Sequence, residues 1–102
     1  MSTLHTVNKS PFSHQTLASC LTLCASGDSI LLLEDGTYGA LTGAPTTALL
    51  NDAIKRGVSV YAIKDDLAAR GLHSQLIQQI TATTYQGFVR LSCQHKNTQS
   101  WY

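Results

Sequence analysis

Four consecutive apolar residues, Ile30-Leu31-Leu32-Leu33, constrain the fold of this chain more than any other feature of its sequence. A half-buried strand alternates apolar and polar side chains, because successive residues point to opposite faces. This run does not alternate. It suits a strand with both faces covered by helices, as in a parallel α/β sheet. The segment read as a strand, Ser29 to Glu34, follows Gly27 and gives way to a turn at Asp35-Gly36.

Strand and helix signals alternate along the rest of the chain. Thr3 to Val7 reads as a short first strand and Asn8 to Pro11 as a polar turn, with Pro11 biasing Ser10 away from helix. Ser13 is a candidate N-cap for a helix whose Leu17, Cys20, Leu21 and Cys24 fall on one apolar stripe. Gly27 ends that helix. After a short segment around Thr37 to Leu41 and the break at Gly43-Ala44-Pro45, Thr46 to Arg56 reads as a helix. Its Leu49, Leu50 and Ile54 are expected to face the core, and Gly57 stops it. Val58 to Ile63 is a third strand. Asp65 or Asp66 caps a short helix over Leu67 to Arg70, which Gly71 ends. His73 to Gln79 is ambiguous between the two patterns. Ile80 to Thr84 reads as a fourth strand, Tyr85 to His95 as a helix with Val89 and Cys93 stacked one turn apart, and Thr98 to Tyr102 as a last short strand. Such alternation predicts a single α/β domain over residues 1–102, a small, mostly parallel sheet with helices on both faces.

A chain of 102 residues supports one modest core. Only 13% of them are charged, against ~25% in a typical soluble domain. That depletion predicts a surface partly covered by a partner, since interface cores are poor in charge. Ser, Thr, Gln and Asn could instead do the solvating. A net charge of +1 with no basic run gives no footprint for direct nucleic-acid binding. The apolar run at Ile30 is far too short to span a membrane. The N-terminus has no charged segment followed by an apolar one, so a cytoplasmic location is expected. Three cysteines, an odd number, fit reduced thiols better than a disulfide framework.

Few residues point to chemistry. Cys20, on the apolar stripe of the first helix, reads either as a small core hydrophobe or as a thiol that takes up sulfur as a persulfide. The second role needs an accessible thiolate of lowered pKa, and no Lys or Arg lies within one turn of it. Cys20 and Cys24 are four residues apart. That spacing puts helical β-carbons ~5–6 Å apart, against ~3.5–4.5 Å for a disulfide, so no bridge is expected in an intact helix. Cys24 and Cys93 read as structural. His5, His14, His73 and His95 show no metal-type spacing with the cysteines, and no metal is expected. His5 reads as a hydrogen-bonded core histidine. Glu34-Asp35-Gly36 lies where open α/β sheets place ligands, and it could do acid–base work or form a capped turn. The turn is the preferred reading, as it is for Asp65-Asp66. No Gly-rich phosphate loop or Ser-His-Asp arrangement occurs, so neither a cofactor nor an independent enzyme is expected.

Four segments in order carry a family likeness: LHTVNKSPF at 4–12, LLLEDGTYGAL at 31–41, VYAIKDDLAARGL at 60–72 and YQGFVRLSCQHKNTQSWY at 85–102. Together they resemble the TusB/DsrH family, small subunits of the TusBCD and DsrEFH sulfur-relay complexes. The resemblance implies a DsrEFH-like fold. It also implies a heterohexamer with TusC/TusD-like or DsrE/DsrF-like sister subunits, two copies of each. Such complexes receive sulfur as a cysteine persulfide and hand it to a small sulfur-carrier protein. They serve either 2-thiolation of the tRNA wobble uridine or cytoplasmic sulfur oxidation. Their principal cysteine lies on a sister subunit, in the loop after a central strand. The corresponding region here, Ile63 to Asp66, holds no cysteine. The resemblance therefore implies a non-catalytic or auxiliary subunit of a sulfurtransferase complex. Cys20, which matches a cysteine of DsrH-type members, is the candidate auxiliary persulfide thiol and tilts the branch toward Dsr. The helix from Tyr85, with Trp101 and Tyr102, is the candidate interface. Two other functions compete with this one. The first is a stand-alone module binding a small anion or nucleotide near Asp35 and Asp65, whose acidic turns would repel phosphate. The second is an independent sulfurtransferase using Cys20.

Overall fold

In a computed structural model of the chain, which describes residues 2–72 and 74–102, β1 (Thr3–Val7) pairs in parallel with β2 (Ser29–Leu32) on one side and β5 (Asn97–Trp101) on the other. The strands β3 (Ser59–Ile63) and β4 (Thr81–Thr83) extend the sheet beyond β2, giving a parallel five-stranded sheet of order β4-β3-β2-β1-β5. The chain thus walks outward from β1 to β4, then crosses back to lay β5 against the free edge of β1. The connections carry α1 (Thr16–Leu23), a 3₁₀ helix (Glu34–Ala40), α2 (Thr47–Lys55), α3 (Lys64–Ala69) and α4 (Tyr85–Gln94).

Both faces of the sheet are covered, as the unbroken apolar run requires. Val7, Ile30, Leu32, Val60 and Ala62 pack beneath Leu17, Cys20 and Leu21 of α1 and Leu50 and Ala53 of α2. The alternate residues Leu4, Leu31 and Ile63 form a smaller core on the other face with Leu91 of α4. Ile30, Leu31 and Leu32 are completely buried because β2 is central and sandwiched. Burying a Leu or Ile side chain contributes roughly 1.5–3 kcal/mol, so β2 anchors both layers at once.

Several elements differ from the sequence reading. The second strand ends at Leu32 instead of Glu34, and the expected turn is a 3₁₀ helix that Glu34 enters at φ +52°. This path tucks the chain against the end of β1: Leu33 N–H donates to Val7 O at 3.1 Å, and Gly36 lies on the same carbonyl. Ser13 does not cap α1; the amides of Ser13 and His14 both donate to Ser10 O, so the turn runs on and the helix starts at Thr16 behind an uncapped Gln15. In α2 the buried residues are Leu50 and Ala53, while Leu49 is 45% exposed. Adjacent helical positions differ by about 100° around the axis, so only one of two neighbouring leucines can face inward. Asp65 and Asp66 lie inside α3, which follows Ile63 directly. Val89 and Cys93 are exposed, and α4 turns Leu91 inward instead. Gly57 does end α2, at φ +102°, a left-handed conformation that side-chain-bearing residues rarely adopt. Within the unassigned stretch, His73 lies outside the described residues. Residues 74–80 run without regular structure, tied by Ile77 N–H to Ala40 O at 2.8 Å and by an isolated bridge between Leu41 and Leu76.

One buried carboxylate gathers three elements. Asp28, just before β2, accepts from Thr3 N–H of β1 at 3.0 Å, from Ala25 N–H after α1 at 3.1 Å and from His5 Nε2 at 3.0 Å. His5 Nδ1 in turn accepts from the indole N–H of Trp101, at the end of β5, at 3.0 Å. These partners assign the imidazole tautomer: Nε2 carries the proton and Nδ1 the lone pair. Burial alone would raise the Asp28 pKa, but the hydrogen bonds from Ala25, His5 and Thr3 outweigh it and hold the carboxyl below its usual value.

Two outcomes follow from this packing. In Gly36→Ala, the new Cβ falls 2.0 Å from Val7 O and 2.8 Å from Val7 C, both backbone atoms. The chain must shift, and equilibrium denaturation should show a loss of about 3 kcal/mol or more. Asp28→Asn leaves buried donors facing an amide and should lose roughly 2–3 kcal/mol at neutral pH. Because the folded pKa lies below the ordinary 3.8, the Asp28 contribution is complete above that value. It disappears as pH falls through the lower folded value. Acid denaturation should therefore erase the difference between wild type and Asp28→Asn.

Candidate functional site

Beside the Asp28 network, the fold gathers the chain's chemically reactive groups. Cys20, on the inward stripe of α1, and Cys24, the cap residue that ends it, bring their sulfurs to 3.8 Å. A ring nitrogen of His5 lies within 4.8 Å of both sulfurs, and all three residues are buried. Cys24 takes extended backbone, φ −69° and ψ 139°. The pair is therefore not held on an intact helix throughout, and the sulfurs touch without a bond. Arg56, at the end of α2, donates to Cys24 O at 3.1 Å and to Leu21 O at 3.4 Å, closing the carbonyl end of α1.

The two thiols are not equivalent. The hydrogen bond to Cys24, then burial, push the Cys20 thiol up, and the Asp28 charge adds to this. The hydrogen bond to Cys20 holds the Cys24 thiol down, against burial and Asp28, and Arg56 assists. Cys20 is completely buried and Cys24 is 4% exposed. A thiolate must be accessible to react with a sulfur donor, so sulfur chemistry at Cys20 requires the end of α1 to open. Cys93 is exposed and separate from the pair.

Two acidic residues at the C-terminal ends of the strands, Asp35 and Asp66, have structural partners. Asp66 Oδ2 accepts from Glu34 N–H and from the Tyr85 hydroxyl, both at 2.8 Å, joining the ends of β2, β3 and β4. Burial and that hydrogen bond push the Tyr85 hydroxyl up to about 12, so it remains a donor at neutral pH. Asp35 pairs with Arg70 Nε at 3.0 Å. Thr37, fully buried, donates to Glu34 O at 2.6 Å and steadies the left-handed Glu34. Asn8 Oδ1, at the end of β1, is buried with no hydrogen-bond partner. Two open clefts, of about 310 and 330 Å³, flank the region of Ile54 and Gln79. Neither includes the thiols or the acidic rim.

The structure thus unites Cys20 and Cys24 with His5, which sequence spacing did not connect, and adds Asp28, which sequence reading overlooked. Asp28 stands between Gly27 and Ser29 and looks like an ordinary turn residue. Its role rests on partners 23 and 25 residues away.

Comparison with known proteins extends this picture. Residues 9–98 match the family described as "DsrH like protein". The chain is 40% identical over 99 residues to Protein TusB of Erwinia tasmaniensis, covering 96% of this chain and 99% of that one. It is 37% identical over 98 residues to Protein TusB of Enterobacter sp. strain 638, with the same coverage. Among solved structures it resembles the ychN protein of E. coli, with a TM-score of 0.83 at 16% identity, covering 98% of this chain and 99% of that one. It also resembles MTH1491 of Methanobacterium thermoautotrophicum, a protein of unknown function, with a TM-score of 0.80 at 10% identity and 97% coverage of both chains. At those identities the structural likeness establishes the fold alone, whereas the near-complete sequence matches establish kinship: the chain belongs to the TusB/DsrH family.

Proposed function

We propose that this chain is a subunit of a sulfur-relay complex, assembled with two kinds of sister subunit into a heterohexamer that passes persulfide sulfur to a small carrier protein. The observation that carries the reading is the match to TusB proteins over 96% of the chain. Those relatives favour the branch that serves tRNA wobble-uridine thiolation, although Cys20 taken alone leans toward the Dsr type. A subunit role suits the surface. Tyr85 is 46% exposed and Val89, one turn on, is 61% exposed; Tyr102 is 84% exposed at the chain end. Such apolar groups are available to neighbouring chains. Trp101 is not among them in the same sense, because its indole is engaged with His5.

Within this proposal Cys20 is an auxiliary persulfide thiol. Its burial and raised pKa favour a principal relay thiol on a sister subunit. No helix among the described residues is long and apolar enough to cross a membrane, which accords with a complex working in the cytoplasm.

Gentle purification of the tagged chain from its host, followed by native and intact mass spectrometry, tests the reading. Two related small subunits should accompany it in equal copies, with sulfur added to a thiol of one of them. A lone monomer or homodimer would overturn it and favour the small-ligand module. Cys20→Ser in the assembled complex should lower sulfur uptake by less than about tenfold; a larger loss, beyond ~1.4 kcal/mol in barrier, would make Cys20 the principal thiol, and unchanged uptake would leave it a packing residue.

A further inference from the structure

We propose that His5, Cys20 and Cys24 form a buried binding site for Zn(II), with Asp28 as the outer-shell carboxylate. Two Zn–S bonds of about 2.3 Å at the tetrahedral angle set their sulfurs about 3.8 Å apart. The Cys20 and Cys24 sulfurs are 3.8 Å apart, so both can hold one ion without moving relative to each other. A ring nitrogen of His5 stands within 4.8 Å of each; closing to the ~3.6 Å that tetrahedral Zn–S and Zn–N bonds require would make it the third ligand and leave the fourth position open.

The imidazole is also arranged as a zinc ligand usually is. A ligating His normally donates its other ring N–H to a carboxylate, which fixes the tautomer and strengthens the ligand. His5 Nε2–H already donates to Asp28 Oδ2 at 3.0 Å. Asp28 is held in turn by the amides of Thr3 and Ala25. Nδ1 carries the lone pair, and its present partner is the neutral indole N–H of Trp101. We assign the ligating atom as Nδ1, since coordination there would exchange one neutral hydrogen bond for a metal bond and keep the charged one to Asp28. Both thiols lose their protons to solvent as the ion enters, and the imidazole keeps its proton on Nε2. Two thiolates and a neutral imidazole offset the charge of the divalent ion. The entry side is the capped end of α1, where Cys24 retains 4% exposure.

The reduced protein, in the assembly with which it purifies, is titrated anaerobically with Co(II) and then with Zn(II). One Co(II) per chain should bind, with a sulfur-to-cobalt charge-transfer band that Zn(II) abolishes. Two protons should be released per ion. Trp101, the single tryptophan, should change its fluorescence as its indole loses the His5 acceptor. Cys24→Ser should weaken Co(II) binding by at least about a hundredfold, the upper end of what losing an outer-shell partner costs. X-ray absorption on the wild-type zinc form should count two sulfur ligands and one nitrogen, which needs no variant to fold. Absence of the band, or a band unchanged in both Cys20→Ser and Cys24→Ser, would overturn the site. Sulfur transfer is not read in these measurements, so their failure leaves the relay reading untouched.

Discussion

The buried Asp28 carboxylate is the contact on which the rest of this structure leans. It sits at the start of the central strand β2 and binds the backbone of β1, the loop after α1 and the imidazole of His5. Burying a carboxylate is costly unless hydrogen bonds replace its water. Here each oxygen has a partner, and the partners come from segments the sheet must bring together. Through His5 the network reaches Trp101, so the last strand is secured to the first by a side chain as well as by its ladder. That matters for β5, an edge strand whose residues Asn97 to Ser100 are exposed and contribute little apolar burial.

The sheet divides the molecule unequally. The face under α1 and α2 holds the larger core with Cys20 and Cys24; the face under α4 holds a smaller one. A second polar contact serves the smaller face. His95 Nδ1 donates to Leu91 O at 2.7 Å, and its Nε2 accepts from Ser29 at 2.9 Å. Asp28 and Ser29 are adjacent, so opposite sides of the start of β2 are each fixed to a histidine. The strand ends at the other edge of the sheet are joined by Asp66. Asp66 and Asp35 thus hold connections together, although their position resembles a catalytic rim.

The thiol cluster shows how burial and reactivity oppose each other. Packing Cys20 against Cys24 and away from water raises the cost of ionising it. For Cys24 the hydrogen bond to its partner outweighs burial and lowers that cost. A buried pair of this kind is poorly suited to rapid exchange with a sulfur donor. That distinction separates this pair from an accessible thiolate built for sulfur exchange.

Local pattern alone was enough to determine the parallel, two-faced sheet, because the run Ile30 to Leu33 cannot be half buried without exposing a leucine. Pattern also determined where most elements lie, since Gly57 and the apolar stripe of α1 act within a few residues. It misjudged Ser13, Leu49 and Asp66 for one physical reason: each depends on which way a helix is rotated or where its first turn starts. A shift of a single residue changes that rotation, and packing against the sheet decides it. The meeting of His5, Cys20, Cys24 and Asp28 was beyond local pattern altogether. Their spacings mean nothing until β1 and β2 lie side by side with α1 across them, and only tertiary structure makes neighbours of residues so far apart in the chain.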